Sequence, residues 1–392
     1  MSDLNLNVAM IGPRGCGKTS VLAIMLGEIE NFINDLNTNA DVRKKCSPTI
    51  QGTDSFGVQT LQQIFSTLKT VAKRENLMKD GVDVVAPSGV HDVYKVDLTV
   101  CGVSTSLFFH DLPGAYFIPE NHQNMRPEEL ATCNDVFDKA DVIVLCVDVP
   151  SQITFLDGKQ AAIYASYTRY ITGLIKESVA KRSLNNLRKT VLVLPVKCEG
   201  EILDTVADPY NDYKQSINPG KNDVLYHKVK TLYKDLFAYL EKEQTVDSFY
   251  VPVITMGCVK ATGMEYDADF GVSRVKFGPV VKGCRLHYYQ CNSSALLALC
   301  LWSAEAVITQ KYKDSRGLIG GLLANARVLL GGKWPTEYFK DELFKKCSLL
   351  RMYIEHWLRT TDFNSLSEEE KERYKKLQEF AANEPFNGCR II

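Results

Sequence analysis

The order of apolar and polar residues near the start of the chain predicts a buried strand followed by a helix. Residues 4–11 alternate and then become continuously apolar, as a strand that enters a hydrophobic core does. From Val21 to Phe32 the apolar residues recur at helical spacing. A glycine-rich stretch lies between the two, so the pattern predicts a strand, a loop and a helix in direct succession.

The same patterns predict further elements along the chain. Two apolar runs on either side of Gly102 predict a β-hairpin. The polar stretch from Ala207 to Asp223 predicts a loop, because it is rich in Pro, Asn and Gly. The remaining expected strands cover residues 140–148, 191–196, 250–254, 275–281 and 286–289. Expected helices cover residues 60–74, 159–179, 224–243 and 294–311, and one begins within 125–130.

From about Asp314 to its end the chain is predicted to be helical. Apolar residues between 318 and 330 fall on one helical face between pairs of glycines, and residues 336–358 are amphipathic. Ser367 and Glu370 have the spacing of a capping box for the last helix. One interpretation is a helical extension packed on the preceding domain. The alternative is that the glycine-flanked helix makes a peripheral contact with a membrane or a partner.

Composition and charge exclude several classes of protein. The chain has 392 residues, enough for two or three domains or one enlarged domain. Its 46 basic and 47 acidic residues give a net charge of −1, so no overall field favours nucleic acid or an anionic membrane. No apolar run reaches the roughly 18 residues of a membrane-spanning helix, and the first residues do not resemble a signal peptide. The 12 cysteines occur singly, which favours a reduced, cytoplasmic protein without a zinc site.

The glycine-rich stretch matches the phosphate-binding motif G-x-x-x-x-G-K-[ST] in full. Its glycines let backbone N–H groups surround an anion, and the following helix adds the positive end of its dipole. Lys18 is expected to reach the β- and γ-phosphates, and Thr19 to hold Mg²⁺. The expected phosphate-binding residues are Gly12, Gly15, Cys16, Gly17, Lys18, Thr19 and Ser20.

A second motif follows the predicted hairpin. The strand that contains Leu107 and Phe109 ends in Asp111, and Gly114 completes a D-x-x-G sequence. An aspartate at the carboxyl end of a strand can hold Mg²⁺ through water, and the backbone N–H of Gly114 can contact a γ-phosphate. The loop that follows is therefore a candidate for a nucleotide-dependent switch.

With these motifs, residues 4 to about 260 resemble a P-loop GTPase of the Ras-like and translation-factor class. Residues 191–199 resemble the strand and N-K-x-D element that contacts guanine, and residues 250–258 resemble the last strand and the loop that closes over the base. The resemblance implies a three-layer α/β P-loop NTPase fold with a mostly parallel sheet and one antiparallel hairpin strand. It also implies that Lys197 lies along the purine and that the Glu199 carboxylate accepts hydrogen bonds from guanine.

The chain departs from this family at several positions. Val196 stands where the family has Asn or Thr, and Glu199 stands where it has Asp. A preference for guanine over adenine is therefore expected, but these residues do not establish it. An ATPase interpretation would use the strand that ends at Asp148, but no glutamate follows it as a base. Ala115 stands where Ras-like enzymes carry the glutamine that orients water, which predicts slow hydrolysis.

Two more residues are candidates for the catalytic machinery. Arg14 lies inside the phosphate loop, where it either stabilises γ-phosphate charge or faces solvent. Ser47-Pro48-Thr49-Ile50 resembles the first switch of Ras-like proteins, so Thr49 is the leading candidate for contact with Mg²⁺, with Thr53 the second. About forty residues separate Thr49 from the hairpin, and they form an insertion with its own helix.

The domain organisation follows from these assignments. We expect a GTPase-like domain over residues 1–312, with insertions at about 40–92 and 261–291, and a helical extension over residues 313–392. The last four residues, Cys389 to Ile392, fit a C-a-a-X prenylation signal only superficially, because Arg390 is atypical and no basic cluster precedes it.

Three functions remain open from the sequence. The first is a GTP-dependent molecular switch with slow Mg²⁺-dependent hydrolysis, whose loops signal the bound nucleotide (GTP or GDP) to a protein effector or activator. The second is an ATP-driven P-loop machine, and the third is a pseudo-GTPase scaffold that binds nucleotide without turnover. The insertions and the atypical N-K-x-D element also resemble bacterial GTPases encoded in defence or conflict gene clusters.

Overall fold

The described part of the chain includes both ends of the sheet and its central strands. The computed structural model describes residues 4–38, 49–52, 61–66, 68, 91–100, 103–119, 122, 125–156, 158–183, 188–207, 213–257, 259–267, 272–280, 291–293, 295–300, 302, 349–384 and 386–392.

An eight-stranded sheet forms the centre of the fold. Its strands are β1 Leu4–Ile11, β2 Thr49–Gly52, β3 Asp92–Val100, β4 Val103–Asp111, β5 Val142–Asp148, β6 Lys189–Val196, β9 Val246–Tyr250 and β12 Arg390–Ile391. They lie in the order β12-β9-β6-β5-β1-β4-β3-β2. The central strands β9, β6, β5, β1 and β4 are mutually parallel, and β2, β3 and β12 add antiparallel pairings at the edges.

Helices cover both faces of this sheet and give it three layers. The helices are α1 Lys18–Thr38, α2 Pro127–Lys139, α3 Gly158–Ser183, α4 Glu199–Ile202, α5 Pro219–Leu232, α6 Lys234–Leu240, α7 Leu349–Thr360 and α8 Glu368–Asn383. Every residue of β5 is buried, as expected of a parallel strand covered on both faces. Val144 packs in the core that includes α1, whereas Leu145 packs in the core that includes α2 and α3. The three-layer α/β fold with its antiparallel hairpin strand is therefore confirmed.

The parallel strands bring the sequence motifs to one edge of the sheet. Strands β1, β4, β5 and β6 all point the same way, so their carboxyl ends lie side by side. The phosphate-binding motif follows β1, Asp111 ends β4, Asp148 ends β5 and Val196 ends β6. Loops beyond the carboxyl ends of parallel strands are where ligands bind in open α/β sheets.

Two short hairpins extend the loops at this edge. Strands β7 Leu203–Ala207 and β8 Tyr213–Ile217 form one, and β8 lies inside the stretch 207–223 for which composition predicted a loop. That prediction was wrong, because strand pairing decides the conformation of this polar stretch. The other hairpin consists of β10 Val259–Asp267 and β11 Val272–Pro279, close to one of the two strands expected in the second insertion.

The end of the chain joins the sheet. Strand β12 pairs with β9, with Arg390 opposite Tyr250, so the tail is not helical throughout as expected. Cys389 is buried in the core, and prenylation of its thiol would require this strand to leave the sheet. The capping box of Ser367 and Glu370 is confirmed at the start of α8. Residues 303–348 lie outside the described residues, so the domain boundary near residue 312 stays a prediction.

No helix among the described residues is both long enough and apolar enough to cross a bilayer. Cys16, Cys133, Cys146, Cys198 and Cys300 are free thiols.

Candidate functional site

The phosphate-binding motif folds into a tight loop between β1 and α1. Gly15 and Gly17 have φ angles of +73° and +100°, which L-residues with a side chain rarely adopt. The Cys16 N–H donates to the Pro13 carbonyl oxygen at 3.3 Å, and the Cys16 side chain is completely buried. Helix α1 then starts at Lys18. This left-handed turn immediately before a helix N-terminus is suited to binding an anion.

Lys18 is buried at the centre of this loop. Its ammonium donates to the carbonyl oxygen of Gly12 at 3.2 Å and to that of Pro13 at 3.5 Å. Burial by itself lowers the pKa of Lys18, but the acidic groups around it, including Asp111, outweigh burial and raise this pKa above its ordinary value. Lys18 is therefore a fixed positive charge at the expected position of the phosphates.

Thr19 and Asp111 lie together, as the two motifs predict. The Thr19 hydroxyl donates to Asp111 Oδ2 at 2.5 Å, whereas Asp111 Oδ1 is buried and has no hydrogen-bond partner. Among the described residues, no group of three or more His, Cys, Asp and Glu side chains could hold a metal ion. Magnesium, however, is commonly held by one or two carboxylates together with substrate phosphates and water. The Thr19 hydroxyl and the Asp111 carboxylate, whose Oδ1 has no hydrogen-bond partner, fit such an ion.

Gly114 lies directly against the phosphate loop. A Cβ atom at this position would be 2.2 Å from the Arg14 nitrogen and 2.5 Å from the Pro13 carbonyl carbon. Only glycine allows this approach, because no L-residue tolerates a Cβ at such distances. The D-x-x-G turn and the phosphate loop are therefore in direct backbone contact.

The other predicted phosphate-side residues differ in their placement. Arg14 is exposed, and Ser20 is half-buried in the first turn of α1. Thr49 and Asp111 lie at opposite ends of β3. Strand β2 pairs Thr49 with Thr99 near one end of β3, whereas Asp92, at the other end, pairs with Asp111. Seven residues of extended strand separate the two ends of β3 by about 20 Å. The prediction that Thr49 contacts the cation is therefore wrong in this structure, and Thr53 lies outside the described residues.

Lys197 connects the predicted base-binding loop to the phosphate loop. It has a φ of +55°, and its ammonium donates to the Gly15 carbonyl oxygen at 2.6 Å and to Asp148 Oδ2 at 3.3 Å. From the sequence, Asp148 was expected only to end its strand. Its buried carboxylate instead helps to hold Lys197. Only the register of β5 against β6, which pairs Asp148 with Val196, reveals this contact.

Glu199 is buried at the start of α4 and contacts the loop expected to close over the base. One carboxylate oxygen accepts from the backbone N–H and the hydroxyl of Thr255, both at 3.2 Å, and from the Met256 N–H at 3.5 Å. Burial raises the pKa of Glu199 above its ordinary value, and these hydrogen bonds only partly oppose the shift. The two stretches assigned to the base by resemblance are thus brought together, and Glu199 organises the loop.

Gln215, from the β7–β8 hairpin, also supports this loop. Its side-chain amide donates to the Gly257 carbonyl oxygen at 2.6 Å, two residues beyond Thr255. No motif indicates this residue, because its contact is made across 42 residues.

Comparison with solved structures gives limited similarity. The GTPase-like domain of Ski7 from S. cerevisiae, bound to GDP and inorganic phosphate, matches with a TM-score of 0.29 and 18% identity over 64% of this chain and 43% of that chain. The same domain bound to GTP matches with a TM-score of 0.28 and 18% identity over 64% of this chain and 42% of that chain. The chain thus spans less than half the length of these matched chains. No protein-family model and no curated protein matches it.

Proposed function

We propose that this protein binds a guanine nucleoside triphosphate together with Mg²⁺, hydrolyses it slowly, and signals the bound nucleotide to a protein partner. The observation that supports this proposal is the convergence of two charged pairs at one edge of the sheet. We assign Lys18 and Asp111, which interact electrostatically, to the phosphate side, and Lys197 and Glu199 to the base side. A purine nucleotide has this distribution of groups, with a polyphosphate at one end and a hydrogen-bonding base at the other.

On the phosphate side, each group has a defined role. The backbone N–H groups of the loop and the Lys18 ammonium bind the phosphate oxygens. Thr19 and Asp111 hold Mg²⁺, which supplies positive charge at the β- and γ-phosphates when bound. Asp111 Oδ1, which is buried without a partner, gives the carboxylate an oxygen for that purpose.

On the base side, guanine is the better match. Guanine carries N–H donors at the positions where a carboxylate can accept, whereas adenine presents an acceptor at N1. Glu199 supplies the only carboxylate of the Val196–Glu199 element, and Thr255 and Met256 keep it in place. The longer side chain of Glu therefore takes the place of the usual Asp.

Slow hydrolysis follows from the side chains near the D-x-x-G turn. Ala115 cannot orient a water molecule, and Phe117 is buried in the core. The His110 ring contacts His91 and the Asn7 amide rather than Asp111. The exposed Arg14 is the remaining candidate for charge stabilisation in cis.

Signalling follows from the contact between Gly114 and Arg14. A γ-phosphate needs space at this junction, so its arrival would move the turn away from the loop. The half-buried turn residues Ala115 and Tyr116 would move with it and offer a surface to a protein effector or activator. We place this cycle in the cytoplasm, without nucleic acid, because the chain has balanced charge and single cysteines.

Titration with fluorescent GTP, GDP and ATP, with and without Mg²⁺, tests the proposal. We expect submicromolar binding of GTP and GDP, weaker binding of ATP, and phosphate release slower than about one turnover per minute. The Lys18→Ala variant should lose binding while keeping the circular dichroism spectrum of the native protein. Tighter binding of ATP would support an ATP-driven machine, binding without any phosphate release would support a pseudo-GTPase scaffold, and no binding would refute the proposal. Rapid turnover that survives Arg14→Ala would refute the slow cycle.

A further inference from the structure

A second carboxylate lies beside Asp111. Asp92, the first residue of β3, pairs directly with Asp111 across the antiparallel β3–β4 ladder. Directly opposed residues in such a ladder project from the same face, with Cβ atoms about 5 Å apart. The neighbouring pairs confirm this face, because Tyr94 opposite Phe109 and Val96 opposite Leu107 all pack in the core that includes α1. Asp92 and Asp111 therefore both face the α1 side.

The pairing sets two like charges against each other, and Lys18, whose pKa the Asp111 charge helps to raise, supplies a single positive charge nearby. Like charges directly opposite one another destabilise a sheet. Asp111 is completely buried, its Oδ2 is occupied by the Thr19 hydroxyl, and its Oδ1 is buried without a partner. The unpartnered Oδ1 has an unused lone pair, which indicates that this carboxylate binds a ligand that accepts an electron pair. A divalent cation meets this requirement and also neutralises the repulsion between the two aspartates.

We propose that Asp92 is a second carboxylate of the divalent-cation site, which holds the ion together with Asp111 and Thr19. This inference rests on the proposed function, because the same ion accompanies the nucleotide. It assigns to β3 the contribution that the sequence assigned to Thr49, which the strand register places at the opposite end of β3. Asp92 is the first residue of β3, at the end of the insertion expected over about residues 40–92.

The metal dependence of the nucleotide complex tests this assignment. We would compare the wild-type protein with Asp92→Asn, which keeps the size of the side chain, and measure the release of fluorescent GDP over a range of Mg²⁺ concentrations. We expect the variant to need at least tenfold more Mg²⁺ for half-maximal slowing of release. Release in excess EDTA should be unchanged. Electron paramagnetic resonance with Mn²⁺ and GDP should show the same weakening without any turnover.

The melting temperature of Asp92→Asn provides a second test, in which the substitution should stabilise the protein and not weaken it. Without nucleotide and metal, Asp92→Asn removes a like-charge repulsion, so its melting temperature should rise by about 1–3 °C. The control is Asp135→Asn, which removes one negative charge from an exposed ion pair of helix α2 with Lys139. It should change neither the Mg²⁺ dependence nor the melting temperature by as much.

The outcomes separate this inference from the proposed function. If wild-type protein binds GDP and Asp92→Asn keeps the same Mg²⁺ dependence, the inference is overturned and the function stands. Weakening of GDP binding in EDTA to the same extent as in Mg²⁺ would also overturn it, because a merely structural role has that effect. If the wild-type protein binds no purine nucleotide, the proposed function itself fails.

Discussion

Lys197 donates a hydrogen bond to the Gly15 carbonyl oxygen at 2.6 Å, across 182 residues of sequence. The same ammonium contacts the buried carboxylate of Asp148 at 3.3 Å. One side chain thus joins the loop expected to read the base to the loop expected to bind the phosphates. The two halves of the site are held as one unit by this contact.

Removal of Lys197 should therefore affect both stability and binding. We predict that Lys197→Met lowers the free energy of unfolding by about 2–3 kcal/mol, because Asp148 is left buried and without its cation. Nucleotide affinity should fall at least tenfold. Denaturant unfolding and nucleotide titration measure the two effects. In the double variant with Asp148→Asn most of the stability should return while affinity stays low, and equal stability of the single variant and the wild type would contradict the prediction.

The Glu199→Gln variant tests two properties, the pH dependence of stability and the recognition of guanine. Because burial raises the pKa of Glu199, the folded state binds its proton more readily than the unfolded state does. The ionised group therefore lowers stability as the pH rises through this raised pKa. We predict that Glu199→Gln is more stable than the wild type at pH 7 and that the difference shrinks as the pH approaches 4.

The same variant should lose its preference for guanine. Each oxygen of a carboxylate can accept from one guanine N–H group, whereas an amide replaces one of these oxygens by an NH2 donor. The ratio of GTP to ATP affinity should therefore fall roughly tenfold. Competition titrations with the two nucleotides measure this ratio. An unchanged ratio would show that Glu199 only supports the Thr255 loop.

Gly114→Ala tests the close contact between the two loops. The added Cβ would overlap the Arg14 nitrogen, so we predict a loss of about 1–3 kcal/mol in the free energy of unfolding. Gly173→Ala is the matched control, since a Cβ at that position of helix α3 meets no atom within 4 Å. It should raise stability by up to about 1 kcal/mol through helix propensity. Chemical denaturation of both variants checks the prediction, which fails if Gly114→Ala is neutral.

Lys189 provides a pH prediction far from the site. Its ammonium is buried and donates to the Phe137 carbonyl oxygen at 2.9 Å, and burial, assisted by nearby Arg182, lowers its pKa to about 7. The folded state then holds fewer protons than the unfolded state between pH 7 and 10. This group should raise stability with pH by up to about 1.4 kcal/mol per unit. Lys189→Met should reduce that slope in unfolding experiments at pH 7, 8.5 and 10, and an unchanged slope would contradict the assignment.

Elements whose conformation is set by a few adjacent residues could be predicted from the sequence, whereas short strands formed only by pairing with another strand could not. The phosphate-binding motif, the D-x-x-G turn and the capping box at Ser367 were predicted because each is set by residues within one turn or loop. The β7–β8 hairpin was missed, since its strands are short and polar and form by pairing with each other. Strand β12 was missed because two residues carry no periodicity, and pairing with β9 decides their conformation.

The residues of the candidate site also fall into two groups, those indicated by local motifs and those placed by strand register. Motif spacing made Lys18, Thr19 and Asp111 candidates for a nucleotide site, and resemblance to the N-K-x-D element added Lys197 and Glu199. A P-T-I match misplaced Thr49, because the sequence around it contains nothing about the register of β2 against β3. Asp92 shows the converse, since no motif contains it and only the β3–β4 register sets it opposite Asp111.

The sequence by itself determined the tight glycine-rich loop between β1 and α1 and the alternation of buried strands with helices, because backbone conformation and hydrophobic periodicity act over a few residues. Only the tertiary structure decided which distant groups meet. The contacts of Lys197 with Gly15 and of Glu199 with Thr255, and the pairing of Asp92 with Asp111, depend on strand order and register. Both are set by the packing of the whole sheet between its helical layers, which no local stretch of sequence encodes.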